Sequence, residues 1–305
     1  MNEAKLVKKI DMHAHTIRVH GMPRPDGSHF ATVPELMEIY DRLGVEKSVL
    51  LPSVSPDCEY ECNTNEEIVE IAQANPDRFC FFCNIDPRMG NNNGESDFTY
   101  HLNHYKRLGA KGVGELTANL YFDDPRVLAL FKACEICEMP VIFHIGTAAG
   151  EYGLIDTYGL PRLEKCLQMF PKLKFLGHSQ RWWSHISGDV TEETYHGWPT
   201  GKVTPGGRVV ELMRKYPNMC GDLSAGSGFG AISRDPEFGY AFLEEFQDRL
   251  YFALDLCDPN NINQPIRIGL GAFLDDAVRN GKISWEAYYK ISRGNAEKLL
   301  GLTAK

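Results

Sequence analysis

The chain has 305 residues, 43% hydrophobic and 24% charged, an ordinary balance for a soluble globular protein. Its formal charge of -9 argues against broad binding to nucleic acid or to an anionic membrane surface. The N-terminal "MNEAKLVKKIDMH" lacks the apolar core of a signal peptide, and no apolar run approaches membrane-spanning length, so the expected location is the cytoplasm. Nine cysteines, an odd number set mostly in apolar segments such as "FCFFCNID", fit reduced thiols better than a disulfide framework. Cys80/Cys83 and Cys134/Cys137 read as core thiols. Cys58 and Cys62 share a predicted loop and also read as structural.

In chain order, short β-branched or aromatic runs bounded by turn residues alternate with amphipathic stretches. The expected strands are "LVKKIDMHA", "KSVLLPS", "FCFFCNI", "AKGVGEL", "PVIFHIG", "KFLGHS", "NMCGDLS" and "LYFALDL". Helical patterns such as "VPELMEIYDRLG" and "DPRVLALFKACEICE" lie between them, and two more follow the eighth strand. Eight strands alternating with helices predict a single (β/α)8 barrel domain over residues 1–305, a TIM barrel with C-terminal helices. The connection after the sixth strand is oversized. It carries Trp182, Trp183 and Trp198, and is expected to cover the site with aromatic walls. The glycine-rich "SAGSGFG" after the seventh strand lacks a phosphate-loop pattern and reads as a flexible active-site loop.

In such a barrel, chemistry belongs at the C-terminal ends of strands. Those ends present His13 and His15, two apart and therefore on one side of the first strand. Glu115, His144, His178 and Asp255 follow on the fourth, fifth, sixth and eighth strands. Each interrupts an apolar run, and buried polar groups of this kind must satisfy one another or share a cation. Four imidazoles and two carboxylates suit zinc or a similar divalent ion. Arg18, Arg88 and Arg181 follow strands and are candidates for holding a substrate carboxylate. Asn84 and Asp86 are expected to organise a turn.

"DMHAH", "FHIG", "LGHS", "FALD" and the C-terminal "ISRGNAEKLLGL" resemble the amidohydrolase superfamily. Within it they are most similar to the amidohydrolase-related branch that includes aminocarboxymuconate-semialdehyde decarboxylase. The resemblance implies that His13, His15, His144 and Asp255 are metal ligands. His178 would ligate a second metal or hydrogen-bond the metal-bound water and substrate. Glu115 departs from the one-metal pattern and resembles the bridging glutamate of two-metal branches, so one or two ions are expected. The leading expectation is a hydrolase of a lactone, amide or ester, in which Asp255 and His178 are catalytic and a metal-activated water attacks. The alternative is a non-oxidative decarboxylase of an aromatic or unsaturated acid. Either way the expected partner is a small-molecule substrate, with neither nucleic acid nor membrane, and with assembly into a homo-oligomer open.

Overall fold

The computed structural model describes residues 6–57, 59–146 and 151–302. Cys58, one member of the predicted loop pair, lies outside them. The strands are β1 (Lys9–Ala14), β2 (Val45–Leu50), β3 (Phe79–Phe81), β4 (Val113–Leu116) and β5 (Val141–Gly146). They continue as β6 (Leu154–Ile155), β7 (Phe175–His178), β8 (Met219–Asp222) and β9 (Leu250–Tyr251). All eight predicted strands are present; β6 is a short addition paired to the end of β5.

All strand pairs are parallel, in the orders β1-β2-β3 and β4-β5-β7-β8-β9. Backbone hydrogen bonds join the two sets at both edges. Cys83 N–H donates to Gly112 O and Gly114 N–H to Cys83 O on one side. On the other, Met12 N–H donates to Phe252 O, Asp255 N–H to His13 O and His15 N–H to Leu256 O. The hydrogen bonds therefore run round a closed ring, the α/β barrel expected from the alternation.

Two cores result. Inside the ring, Ile10, Met12, Val49, Phe82, Ile142, Leu176 and Tyr251 form one apolar cluster, closed at the bottom by Ala296 and Leu300. Outside it, residues of opposite parity such as Leu50, Phe143 and Phe175 meet the helices. The helices start and stop where the sequence says. Residues 33–43 begin at a Thr32/Glu35 capping box with Pro34 in the first turn, and end at Gly44 in the left-handed conformation.

Two β-bulges aim the polar residues. Between Asp11 and Ala14 β1 advances three positions while β2 advances two, from Ser48 to Leu50. The extra residue reverses the alternation, so His13 and His15 face the barrel mouth above Met12 while Ala14 joins the outer core. β4 does the same, with Val113 to Leu116 set against Val141 to Phe143, and this turns Glu115 inward. Gly114 sits at that bulge with φ +130°, where a Cβ would fall 2.4 Å from Ile142 O, so only glycine fits.

The two C-terminal loops differ from expectation. Residues 225–233 form a helix rather than a flexible loop. A Cβ on Gly228 would fall 2.4 Å from the Leu223 backbone, so the glycines serve close packing. After β7 the chain turns at once into a helix over 180–184 that buries Trp182 and Trp183 in the outer core.

At the opposite end of the barrel, Lys9 is 4% exposed, and its ammonium meets Asp275 and, at 3.2 Å, the Tyr288 hydroxyl. Tyr288 in turn donates to Asp275 at 2.8 Å, tying the C-terminal helices to β1. Lys9→Met keeps the aliphatic stem and strands the Asp275 charge, so it should cost about 2–3 kcal/mol in urea unfolding. An unchanged midpoint would show that the pair holds nothing together.

Candidate metal centre and cavity

At the mouth of the ring the six predicted residues converge. His13 Nε2 and His15 Nε2 lie 3.1 Å apart. Glu115 Oε2 is 3.6 and 3.5 Å from them, and Asp255 Oδ1 is 3.5 and 3.7 Å from them. The other oxygen of Glu115 faces a second pair, 2.9 Å from His144 Nδ1 and 3.5 Å from His178 Nε2. His13, His15, Glu115 and His178 are all buried.

Hydrogen bonds behind the rings set which nitrogen is free. His13 Nδ1–H donates to Asp222 Oδ2 at 2.7 Å, and His15 Nδ1–H donates to Leu51 O at 3.1 Å. Both Nε2 atoms are thereby turned toward each other and toward two carboxylate oxygens, that of His13 holding a proton when no metal is bound. Two imidazoles and two carboxylates about one point share a proton or a cation, and imidazole with carboxylate is a donor set for divalent metal. The residues present fit a metal ion. Ser224 Oγ lies 2.9 Å from His178 Nδ1 and fixes that ring likewise. Asn84 donates to Glu115 O at 2.6 Å and to Pro52 O, joining the loop after β2 to the β4 bulge rather than only making its own turn.

The electrostatics agree. Burial opposes charge on His13, yet Asp222 and Asp255 hold its pKa well above the ordinary histidine range. Burial, with His13 beside it, pushes His178 down to about 4, so it is neutral near pH 7. Burial likewise works against the charge on Glu115, but hydrogen bonds from His13, His144 and His15 hold it well below the usual carboxylate range. Beneath the site, Asp11 accepts from His13 N–H and Leu254 N–H at 3.0 Å each and from the Tyr40 hydroxyl at 2.7 Å, which locks β1 to the segment carrying Asp255.

The site floors a cavity of about 650 Å³. Its walls come from the loops after β1 (Arg24, Phe30), β2 (Glu59, Tyr60) and β5 (Tyr152), and from the segment after β9 (Asn260, Gln264, Arg267). Burial raises Glu59 to about 7, with Glu115 pushing the same way. Tyr152 donates to Glu115 Oε2 at 3.0 Å. Among the described residues none from 181–204 lines this cavity; Trp183, Trp198 and Thr200 line a separate, smaller one beside the helix over 225–233. The expected aromatic walls are thus absent, because Trp182 and Trp183 are consumed by the outer core and Trp183 Nε1–H donates to Asp222 O.

The three predicted arginines also lie elsewhere. Arg18 is exposed and pairs with Glu67 and Glu70, Arg88 with Asp86 and Asp57, and Arg181 with Glu151. Arg24 and Arg267 stand in the cavity instead. Sequence reasoning passed over these two, together with Asp222, Glu59 and Tyr152, and took Ser224 only as the start of an active-site loop. Asp222 alone carried a signal, as a carboxylate closing the apolar strand "NMCGD".

A barrel of parallel strands with a His/Asp/Glu donor group at its C-terminal mouth defines a metal-site α/β barrel. More particularly, the chain belongs to the amidohydrolase family, whose model, described as Amidohydrolase, matches residues 10–302. No curated protein sequence matches the chain. Solved structures share its fold. A dihydroxybenzoic acid decarboxylase from Polaromonas sp. JS666, with bound manganese, has a TM-score of 0.61 at 16% identity over 98% of each chain. A 2,6-dihydroxybenzoate decarboxylase from Rhizobium has a TM-score of 0.59 at 15% identity, covering 98% of this chain and 100% of that one. A probable 2-pyrone-4,6-dicarboxylic acid hydrolase from Acinetobacter baumannii has 0.55 at 14% identity, covering 97% and 100%. At these identities the likeness is one of fold. Among the described residues no helix is long and apolar enough to cross a membrane.

Two outcomes follow from the geometry. Asp222→Asn removes the acceptor that orients His13, so metal affinity should fall 10–100-fold in a chelator-competition titration; an unchanged affinity would free His13 from that role. A metal must also displace the proton that His13 holds. Affinity should therefore climb with pH through and beyond the ordinary histidine range, by about tenfold per unit for each proton displaced. A flat profile between pH 6 and 8 would contradict the raised His13 pKa.

Proposed function

We propose that the protein is a metal-dependent, non-oxidative decarboxylase of an aromatic or unsaturated carboxylic acid. The observation that carries this reading is Arg267, whose Nη1 lies 3.5 Å from Asp255 Oδ2 in the cavity wall. A guanidinium there suits a carboxylate lying over Asp255, since its fork matches the two oxygens. The fold shared with two decarboxylases supports the same reading.

In this proposal His13, His15, Glu115 and Asp255 would hold the ion, with His144 completing the donor set. Zinc or manganese suits such a set. When bound, the cation neutralises nearby negative charge and polarises a substrate oxygen. The chain's own groups do the rest. Arg267 turns the carboxylate against the ring plane, and neutral His178 hydrogen-bonds a neighbouring substrate oxygen. Asp255 delivers a proton to the carbon that bears the carboxylate. The bond to the carboxylate then breaks, its electron pair restores the unsaturated system, CO2 leaves and Asp255 recovers its proton from water.

Hydrolysis of a lactone, amide or ester through an activated water is the second reading. One observation favours it: Glu115 offers separate oxygens to two imidazole pairs, an arrangement suited to two ions. Metal content per chain and assay of CO2 release from a panel of hydroxylated aromatic acids separate the two. One ion with CO2 release is the expected result; two ions with ester or lactone cleavage and no CO2 would overturn the proposal. Asp255→Asn should fold, retain part of its metal and lose kcat by about 10²–10⁴. A near-native kcat would move the proton transfer to another group.

A further inference from the structure

Resting on the decarboxylase reading, we propose that the substrate carries a second acidic group, held by Arg24 at the outer end of the cavity. Two cations and five acids line that cavity, and four of the acids are committed. Asp255 and Glu115 belong to the metal group. Asp26 Oδ1 accepts from both the backbone and the hydroxyl of Ser28, at 3.0 and 2.7 Å. Asp258 accepts from Asn260 N–H at 2.7 Å and His29 N–H at 2.9 Å. The fifth, Glu59, is half-buried in the wall and makes no ion pair with Arg24 within 4 Å among the described residues. Arg267 already has Asp255 beside it.

Arg24 alone is uncommitted. It is half-buried, its guanidinium has one hydrogen bond among the described residues, a 3.4 Å contact to Ser28 Oγ, and it makes no ion pair within 4 Å among them. Its position is nonetheless set. The guanidinium stacks on Phe30 at 4.8 Å, and Phe30 lies nearly parallel to the His15 ring at 5.4 Å. Those two contacts keep Arg24 within about 10 Å of the His15 ring. Arg24 and Arg267 line the same cavity, so a substrate with one carboxylate at Arg267 can present another to Arg24. A planar fork that lines the cavity and makes no ion pair within 4 Å among the described residues is a receptor for a carboxylate.

The test is isothermal titration of the metal-loaded, desalted protein with benzene-1,3-dicarboxylate and with benzoate. The diacid should bind at least about tenfold more tightly, as a charge-assisted bidentate contact warrants. In Arg24→Gln, with metal content and melting temperature retained, the ratio should fall to near one; Arg24→Lys, a point charge without the fork, should lie between. Equal affinities in the wild type, no binding of either acid, or a preference that survives Arg24→Gln would each overturn the proposal. The readout is equilibrium binding. Absence of CO2 release from every acid would therefore sink the decarboxylase reading while leaving this binding difference to be judged by itself.

Discussion

The structure turns on one buried carboxylate. Glu115 is 3% exposed and lies among four imidazoles, each of its oxygens facing a different pair. A charge so far from water is tolerable only if its surroundings are fixed to suit it. Much of the barrel mouth serves that end. The β4 bulge turns the side chain inward, Gly114 lets the bulge pass beneath Ile142 O, Asn84 holds the Glu115 carbonyl, and Tyr152 covers one oxygen. Around this anion the histidines gather into a group that could hold a metal ion.

Periodicity made the frame legible. Each predicted strand is a real one because buried parallel strands are written as apolar runs, and the polar residue ending each run marks the barrel mouth. His13 and His15 were readable as a pair because spacing of two survives any shift of register. Which side they face was not, since the bulge that points them inward depends on the partner strand β2 and leaves no mark in "DMHAH". Asp222 escaped for a related reason. Its importance lies in a 2.7 Å bond to His13, across 209 positions of sequence.

The walls of the cavity were the least legible part. Aromatic richness after β7 suggested a substrate cover, but tryptophan is also the largest core-filling residue, and the outer core claimed two of the three. The arginines divided in the same way. Those nearest the strand ends, Arg18, Arg88 and Arg181, have carboxylates of their own, whereas Arg24 and Arg267 come from points further along their loops. A guanidinium is defined by its neighbours more than by its distance from a motif.

This division of labour bears on how the reaction is chosen. The ligand group could serve either a hydrolase or a decarboxylase, since both ask for a cation and a proton-carrying carboxylate beside it. What differs is the handling of substrate charge. An uncharged lactone, amide or ester would leave Arg267 to its contacts with the Asp255 carboxylate and carbonyl. A carboxylate substrate would meet that cation directly, above the Asp255 oxygen that already faces it. In the proposed reading the loop over 257–267 meets the substrate above a donor group that the strands supply, and one barrel can host different reactions through such loops.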